Sequence, residues 1–295
     1  MSRNTFLYIF ICAIVSCMSA CDKNAHEKEL YGISVRLTFD DELDASQTKV
    51  KNGSLWIYQV DGKLVKEYFY EGAKDLSSQC FDLPAGNYVV VSALNFNSPL
   101  TYKNQNEMQA LAFYTSAPDP LSEHAFYSTV QVEVRENENQ LVTLPMKRVF
   151  SELAIKIEGV PSGARLNTKV YEPAEGILPA CKDADGQYGL PTTETMTEVI
   201  LPESLEKNGA IVTEAMRVMP TAQGKSGSRL GLFLTTTDGV TFECVVDAPR
   251  MKPAGKYELT LSYNELKPYL RVSAIKITDW KYGWTISGEI LDPNN

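Results

Sequence analysis

The chain has 295 residues, 44% of them hydrophobic, and carries 28 basic against 37 acidic side chains, a net charge of −9. Nucleic-acid binding needs a basic face, and this acidic balance argues against it. The length suits two domains of ordinary size.

The first 20 residues have the layout of a secretory signal. They carry one charge, Arg3, then an apolar run over residues 6–15 and small residues up to Ala20. As a helix, Thr5–Ala20 would reach only about 24 Å, short of the roughly 30 Å hydrocarbon core of a membrane. We therefore predict a signal peptide over residues 1–20 and not a permanent membrane span.

A cysteine follows this signal where the chain turns polar. Met18–Cys21 resembles the lipobox of bacterial lipoproteins, in which the cysteine is acylated on its thiol and, after cleavage, on its amino group. Ile14–Cys17 fits the pattern more loosely, whereas Cys21 is followed at once by charged residues. We predict lipid attachment, such as palmitate, at Cys21, with Cys17 as the alternative and a plain secretory signal as the remaining interpretation.

A lipidated cysteine would tether the protein to a membrane. One acyl chain gives only marginal, reversible binding, but two or three chains hold firmly. Residues 21–29 would then form the tether.

Beyond the tether the sequence predicts a series of β-strands. Ile33–Phe39 alternates apolar and polar residues, which is the period of a half-buried strand. Leu55–Tyr58 is apolar on both faces and is expected inside a sandwich. Asp61-Gly62 separates it from Leu64–Tyr70 and predicts a hairpin with a type I′ turn, because Gly accepts positive φ.

The rest of the chain repeats this pattern. Asp238-Gly239 predicts a second hairpin, and the only weak helix signal covers Asn106–Ala112. The further predicted strands are Tyr88–Val91, Val130–Val134, Leu141–Leu144, Leu153–Ile157, Leu230–Leu234, Val240–Val246, Tyr257–Leu261, Ile275–Ile277 and Trp284–Ile286. Many short strands with frequent turns indicate an all-β fold of two sandwiches, predicted over residues 30–147 and 148–295.

A short internal repeat supports two domains of related build. Pro84-Ala-Gly precedes Tyr88, and Pro253-Ala-Gly precedes Tyr257, each time at the entry to a predicted strand. Pro and Gly at this spacing are typical of a tight turn.

The sequence gives little support for a catalytic or metal-binding site. His26 and His124 are the only histidines, so a catalytic triad has almost nothing to build on. Three cysteines beyond the tether, Cys80, Cys181 and Cys244, are odd in number and far apart, which argues against a disulfide framework or a CxxC zinc site. We expect free thiols, with one long-range bridge as the alternative, and no metal, no cofactor and no enzymatic activity.

Four segments and the lipobox, taken in order, resemble the fimbrillin superfamily of Bacteroidales, within it the branch of minor-fimbrium anchor subunits. The segments are "GSLWIYQVDGKLVKEY" (53–68), "FDLPAGNYVVVSALNF" (81–96), "VTLPMKRVFSELAIKIEGVP" (142–161) and "ITDWKYGWTISGEI" (277–290). The resemblance implies two transthyretin-like (Greek-key) β-sandwich domains. It also implies a surface-exposed, lipid-anchored protein of the cell outer membrane that holds or terminates a fimbrial polymer.

The expected partners are fimbrial subunits, joined by β-strand addition, in which a strand from one chain completes the sheet of another. Shaft fimbrillins lose their first strand to an arginine-specific protease. Arg148 lies in the corresponding region here, but a tethered anchor should keep its N-terminus, so we interpret Arg148 as a linker residue. The closing segment that contains Trp284 and Ile286 is expected to be an ordinary closing strand, with strand donation or reception as the alternative.

The rival function is that of a surface lipoprotein that binds a glycan. Exported β-sandwiches bind sugars by stacking them on exposed aromatic rings, and Trp280, Tyr282 and Trp284 alternate so as to share one side of a continuous strand. Gly283 favours a bend there, and burial of these rings is the competing expectation.

Overall fold

The computed structural model describes residues 32–39, 50–115, 125–237, 239, 241–265, 275–279 and 282–286. Within these ranges the regular structure is β-strand apart from a short helix, α1 (Ala73–Ser77), and a 3₁₀ turn at Tyr263–Glu265. This confirms the all-β prediction. The first nine strands are β1 Gly32–Phe39, β2 Gly53–Gln59, β3 Leu64–Tyr70, β4 Cys80–Asp82, β5 Gly86–Leu94, β6 Leu100–Lys103, β7 Ala112–Thr115, β8 Phe126–Val134 and β9 Asn139–Arg148. The later strands are β10 Ser151–Glu158, β11 Arg165–Tyr171, β12 Gly176–Lys182, β13 Tyr188–Pro191, β14 Glu198–Leu205, β15 Ala210–Val212, β16 Met216–Val218, β17 Gly227–Thr235, β18 Thr241–Pro249, β19 Lys256–Ser262, β20 Ile275–Asp279 and β21 Tyr282–Ile286.

The first sandwich consists of β1–β5, β8 and β9. Its sheets have the strand orders β3-β2-β5-β8 and β9-β1-β4. Among the described pairs, β8 and β9 connect them at Phe126–Tyr127 and Lys147–Arg148. β1 lies in the middle of its sheet, antiparallel to β4 and parallel to β9 over its whole length.

The second sandwich consists of β10, β11 and β14–β21, and it repeats the same order. Its sheets run β14-β11-β17-β18 and β15-β10-β19-β20-β21, with β16 pairing β10 beyond β15. β10 is parallel to β19, as β1 is to β9. In this correspondence β3 matches β14, and β4 matches β15 and β16.

A third sheet joins the two sandwiches. Its order is β13-β12-β7-β6, so a hairpin that follows residue 148 pairs with one that precedes it. β7 and β12 pair at Phe113 with Ile177 and at Tyr114 with Gly176. The division of the chain at residues 147 and 148 stays a prediction, because strands from both sides of it share this joining sheet.

The joining sheet explains why β2 is apolar on both faces. Leu55 and Ile57 belong to the core inside the first sandwich, whereas Trp56 and Tyr58 face a second core shared with the joining sheet. All four side chains are buried. β2 therefore lies in the middle layer of three, one more layer than the predicted sandwich required.

The hairpin predictions hold, with one change of turn type, and the helix prediction is wrong. Of Asp61-Gly62, only Gly62 takes a positive φ, so the turn between β2 and β3 is not type I′. β17 and β18 pair around Gly239 as predicted. Residues 104–110 form turns and not a helix, and they serve to bury Met108 beside Leu111 in the shared core.

The two Pro-Ala-Gly segments form different turns at different places in the fold, since Ala254 takes a positive φ of 60° and Ala85 does not. The Tyr88 hydroxyl donates to the Pro84 carbonyl at 2.9 Å, and the Tyr257 hydroxyl accepts the Lys252 N–H at 2.9 Å. The first turn leads into β5 and the second into β19, which are not equivalent strands. The related build of the two sandwiches therefore comes from strand order and not from this repeat.

Candidate functional site

The described chain begins at the strand that would follow the tether. Cys21 and Cys17 lie outside the described residues, so lipid attachment stays a prediction. β1 starts at Gly32 and is held on both sides, by β4 and β9. In the described part of the chain no helix has the length and apolar character needed to cross a membrane.

The C-terminal hairpin β20–β21 extends the larger sheet of the second sandwich. β20 pairs with β19, and β21 pairs with β20 over all five of its residues. Among the described strands, none pairs with the outer edge of β21. Tyr282 and Trp284 belong to β21, and Trp280 lies outside the described residues, so the proposed aromatic face stays a prediction.

Arg148 is part of a buried charge cluster between the two sandwiches. Its Nη1 lies 2.7 Å from Glu152 Oε1, and Arg217 Nε lies 3.9 Å from the same oxygen. The side chains of Arg148 and Glu152 are only 13% and 9% exposed. Burial lowers the pKa of Arg217, and the Glu152 carboxylate opposes that shift.

This cluster supports a linker role for Arg148. A protease must bring its target arginine into its own pocket, and here that side chain is packed and ion-paired. The sequence pointed to Arg148 but not to Glu152. The available signal for Glu152 was its place as an acidic residue directly before the apolar run of β10.

The hairpin β12–β13 fixes the two sandwiches to each other. The buried Tyr127 hydroxyl donates to the Tyr188 carbonyl at 2.9 Å, and its pKa is raised by burial and by the nearby Asp183 carboxylate. A Cβ at Gly189 would lie 1.9 Å from that hydroxyl, so only glycine fits there. At the hairpin tip, Asp185 pairs with Lys252 of the second sandwich.

Metal-ligating side chains are not brought together in the part of the chain that the structure describes. No group of three or more His, Cys, Asp or Glu side chains there is placed to hold a metal ion. His26 and His124 are outside the described residues. Cys80, Cys181 and Cys244 form no disulfide, as expected, and burial raises the pKa of Cys244 to about 12, which disfavours its reactive thiolate form.

Comparison with known proteins identifies the family. The model of the family described as fimbrillin-A associated anchor proteins Mfa1 and Mfa2 matches residues 19–284. No curated protein matches the chain.

Solved structures show the same fold at low sequence identity. The fimbrial anchor protein Mfa2 from Porphyromonas gingivalis has a TM-score of 0.53 at 13% identity, covering 86% of this chain and 99% of its own. A fimbrial assembly protein from Parabacteroides distasonis has a TM-score of 0.53 at 12% identity, covering 86% and 97%. A candidate polysaccharide-binding protein from Bacteroides thetaiotaomicron has a TM-score of 0.54 at 14% identity, covering 86% and 98%.

Proposed function

The chain belongs to the family of fimbrillin-A associated anchor proteins, and on this premise we propose that it holds or terminates a fimbrial polymer at the cell surface. The observation that carries the proposal is the family match, which spans residues 19–284 and so includes both sandwiches and the joining sheet. The role is one of binding and not of catalysis. An anchor must join a subunit at one point and a membrane at another.

We assign the membrane attachment to Cys21, in an outer-membrane lipoprotein exposed at the surface. The support is the lipobox-like sequence Met18–Cys21 and the change to charged residues directly after it. Two or three acyl chains would resist the pull of a polymer where one would not. Labelling with a fatty-acid analogue should mark the wild type and not Cys21→Ala. Label that persists in Cys21→Ala but is lost in Cys17→Ala would move the attachment site to Cys17.

We assign the joint with a fimbrial subunit to β-strand addition. No described strand pairs with the outer edge of β21, and this supports the assignment, because a free edge offers alternating N–H and C=O groups to an incoming strand. β1 is a poor candidate for removal, since eight residues pair it to β9 and Arg148 is ion-paired. We therefore expect the protein isolated from cells to retain β1, which the mass of the purified chain tests.

Deletion of the gene tests the anchor role directly. We expect fimbriae of altered length and fimbriae shed into the medium, with both defects repaired by the wild-type gene. A non-acylated Cys21→Ala copy should restore the protein but not the attachment. Fimbriae that stay attached at normal length in the deletion strain would refute the proposed function.

Glycan binding is the second candidate. Its support is the aromatic alternation of Trp280, Tyr282 and Trp284 and the name of one structural neighbour. Affinity electrophoresis in gels that contain soluble polysaccharide would test it. Retardation of the wild type that Trp284→Ala abolishes would favour this function, and equal mobility in every gel would count against it.

A further inference from the structure

The first sandwich receives the chain on β1 and passes it on from β9, and these two strands are parallel neighbours. Eight residue pairs join them, from Gly32 with Asn139 to Phe39 with Met146. The chain before Gly32 leads back to the tether, and the chain after Arg148 enters the second sandwich. Parallel strands have their amino ends side by side, so Gly32 and Arg148 lie at opposite ends of this pair.

The second sandwich is attached at the carboxyl end of β9. Tyr127, whose hydroxyl bonds to the joining sheet, pairs with β9 at this end. Arg148 is ion-paired with Glu152 of β10. Val149 and Phe150, directly after β9, are fully buried in the core shared with the joining sheet. Tension from the second sandwich would therefore reach β9 at its carboxyl end.

Tension between the tether and the second sandwich would pull β1 and β9 in opposite directions along their length. Sliding one strand past the other by one residue, about 3.3 Å, must break the hydrogen bonds of the whole ladder together. Peeling the same strands apart from one end breaks these bonds one pair at a time. Forced unfolding is governed by the rate of unfolding, and hence by the barrier that the pull meets, so sliding should need the larger force.

The end of β1 that would receive the pull is held on both sides. Gly32 donates its N–H to the Glu138 carbonyl at 3.0 Å, on the side of β9. Gly32, Ile33 and Ser34 also pair with β4 on the other side. Ile33 and Val35 are buried in the core of the first sandwich. Fraying from this end is therefore opposed by two neighbouring strands and by the core.

The second sandwich repeats the arrangement. It receives the chain on β10, which is parallel to β19 over seven residue pairs, and the hairpin β20–β21 follows β19 in the same sheet. β21 runs in the same direction as β19, because β20 is antiparallel to both. The amino end of β10 and the carboxyl end of β21 are therefore at opposite ends of this sheet. A joint at β21 would load the sheet along its strands as well.

We propose that β1 and β9 form a shear clamp, which carries tension between the tether and the second sandwich without unfolding. The drag on an attached polymer would pass through this clamp to the lipid. The purpose of the clamp rests on the proposed anchor role, but its resistance is a property of the purified chain and is measured without a partner.

Optical tweezers compare the two directions of pull on the purified full chain. One handle is attached at Lys28 in the tether. The other is attached at the exposed Ser162, after β10, or at the exposed Glu136, before β9. The first choice slides β1 along β9, and the second peels β1 away from the amino end of β9. We expect sliding to need at least about twice the force of peeling at the same loading rate, because the eight pairs resist together.

A reversible metal bridge locates the clamp within the first sandwich. Arg36 of β1 and Thr143 of β9 are opposite each other and exposed, with side-chain atoms 3.4 Å apart. Arg36→His combined with Thr143→His therefore offers two imidazoles to Ni²⁺ across the clamp. The matched control is Asn87→His combined with Glu133→His, an exposed pair on β5 and β8 of the same sandwich.

Both metal-binding variants should melt at a higher temperature with Ni²⁺, because only the folded pair of histidines binds the ion. The force needed for sliding should rise with Ni²⁺ only in the variant that bridges β1 and β9. Removal of the ion by a chelator should reverse this gain in the same molecule.

Two outcomes would overturn the proposal. One is a sliding force no greater than the peeling force. The other is a gain with Ni²⁺ that is equal in the two metal-binding variants or absent from the β1–β9 variant, since the force would then not depend on the β1–β9 ladder. Neither result bears on fimbrial shedding in the deletion strain, which tests the anchor role separately.

Discussion

Replacing Glu152 by Gln should destabilise the fold by removing the carboxylate from between two guanidinium groups. Glu152 is 9% exposed and pairs with Arg148 at 2.7 Å, with Arg217 3.9 Å away. Breaking a buried ion pair on one side costs about 3–5 kcal/mol, because the remaining charge stays buried. Arg217 is 23% exposed and can regain some water. We therefore expect the lower end, about 3 kcal/mol.

Urea denaturation followed by fluorescence and by circular dichroism measures this free energy of unfolding. At about 2 °C per kcal/mol for a chain of this size, the melting temperature should fall by about 6 °C. The double variant Arg148→Met/Glu152→Gln should recover at least half of the loss, since it removes the charge left behind.

The matched control is Glu172→Gln, which breaks a pair with Lys225 at 2.9 Å in which both side chains are almost half exposed. Exposed pairs contribute about 0.2–1 kcal/mol, so this change should cost at most 1. If Glu152→Gln costs no more than Glu172→Gln, the cluster is hydrated and the assigned linker role is wrong.

Three further changes test other parts of the structure. Gly189→Ala places a Cβ against the Tyr127 hydroxyl at a position with φ +104, and should cost about 3 kcal/mol in urea denaturation; a loss below 1 would show that the joining sheet can shift. Tyr257→Phe removes the acceptor of the Lys252 N–H and should lower stability by about 1–2 kcal/mol, and an unchanged midpoint would contradict the role given to this turn. The backbone N–H groups of Gly163 and Gly209 donate to the Glu206 carboxylate and lower its pKa. The contribution of Glu206 to stability is therefore complete above the pKa of the unfolded chain, about 4.3, and is lost as pH falls through the pKa of the folded protein. An NMR titration of Glu206 with its midpoint at or above 4.3 would refute this.

Strands with clear alternation or two flanking turn residues were predictable from sequence. β1, β2, β5, β8, β17 and β19 were found where the sequence placed them, β1 from its period of two and β2 from an apolar run next to a turn signal. The strands over residues 100–115 and 165–218 were missed, because several have only three or four residues, others carry Pro or Gly, and some gain their partners from distant segments. β12, for example, pairs with β7 across more than 60 residues, and no local pattern shows such a contact.

The site residues likewise depend partly on local sequence and partly on distant pairings. Arg148 was interpreted as a linker residue, and its partners Glu152 and Arg217 come together only because β10 pairs with β16.

The sequence by itself determined the all-β class, the two main hairpins and the buried character of β2, because backbone period and turn chemistry are local properties. Only the tertiary structure decided that β2 lies in a middle layer and that one sheet joins both sandwiches. Those features depend on pairings between residues far apart in the chain, where the energy comes from burying surfaces that local sequence does not bring together.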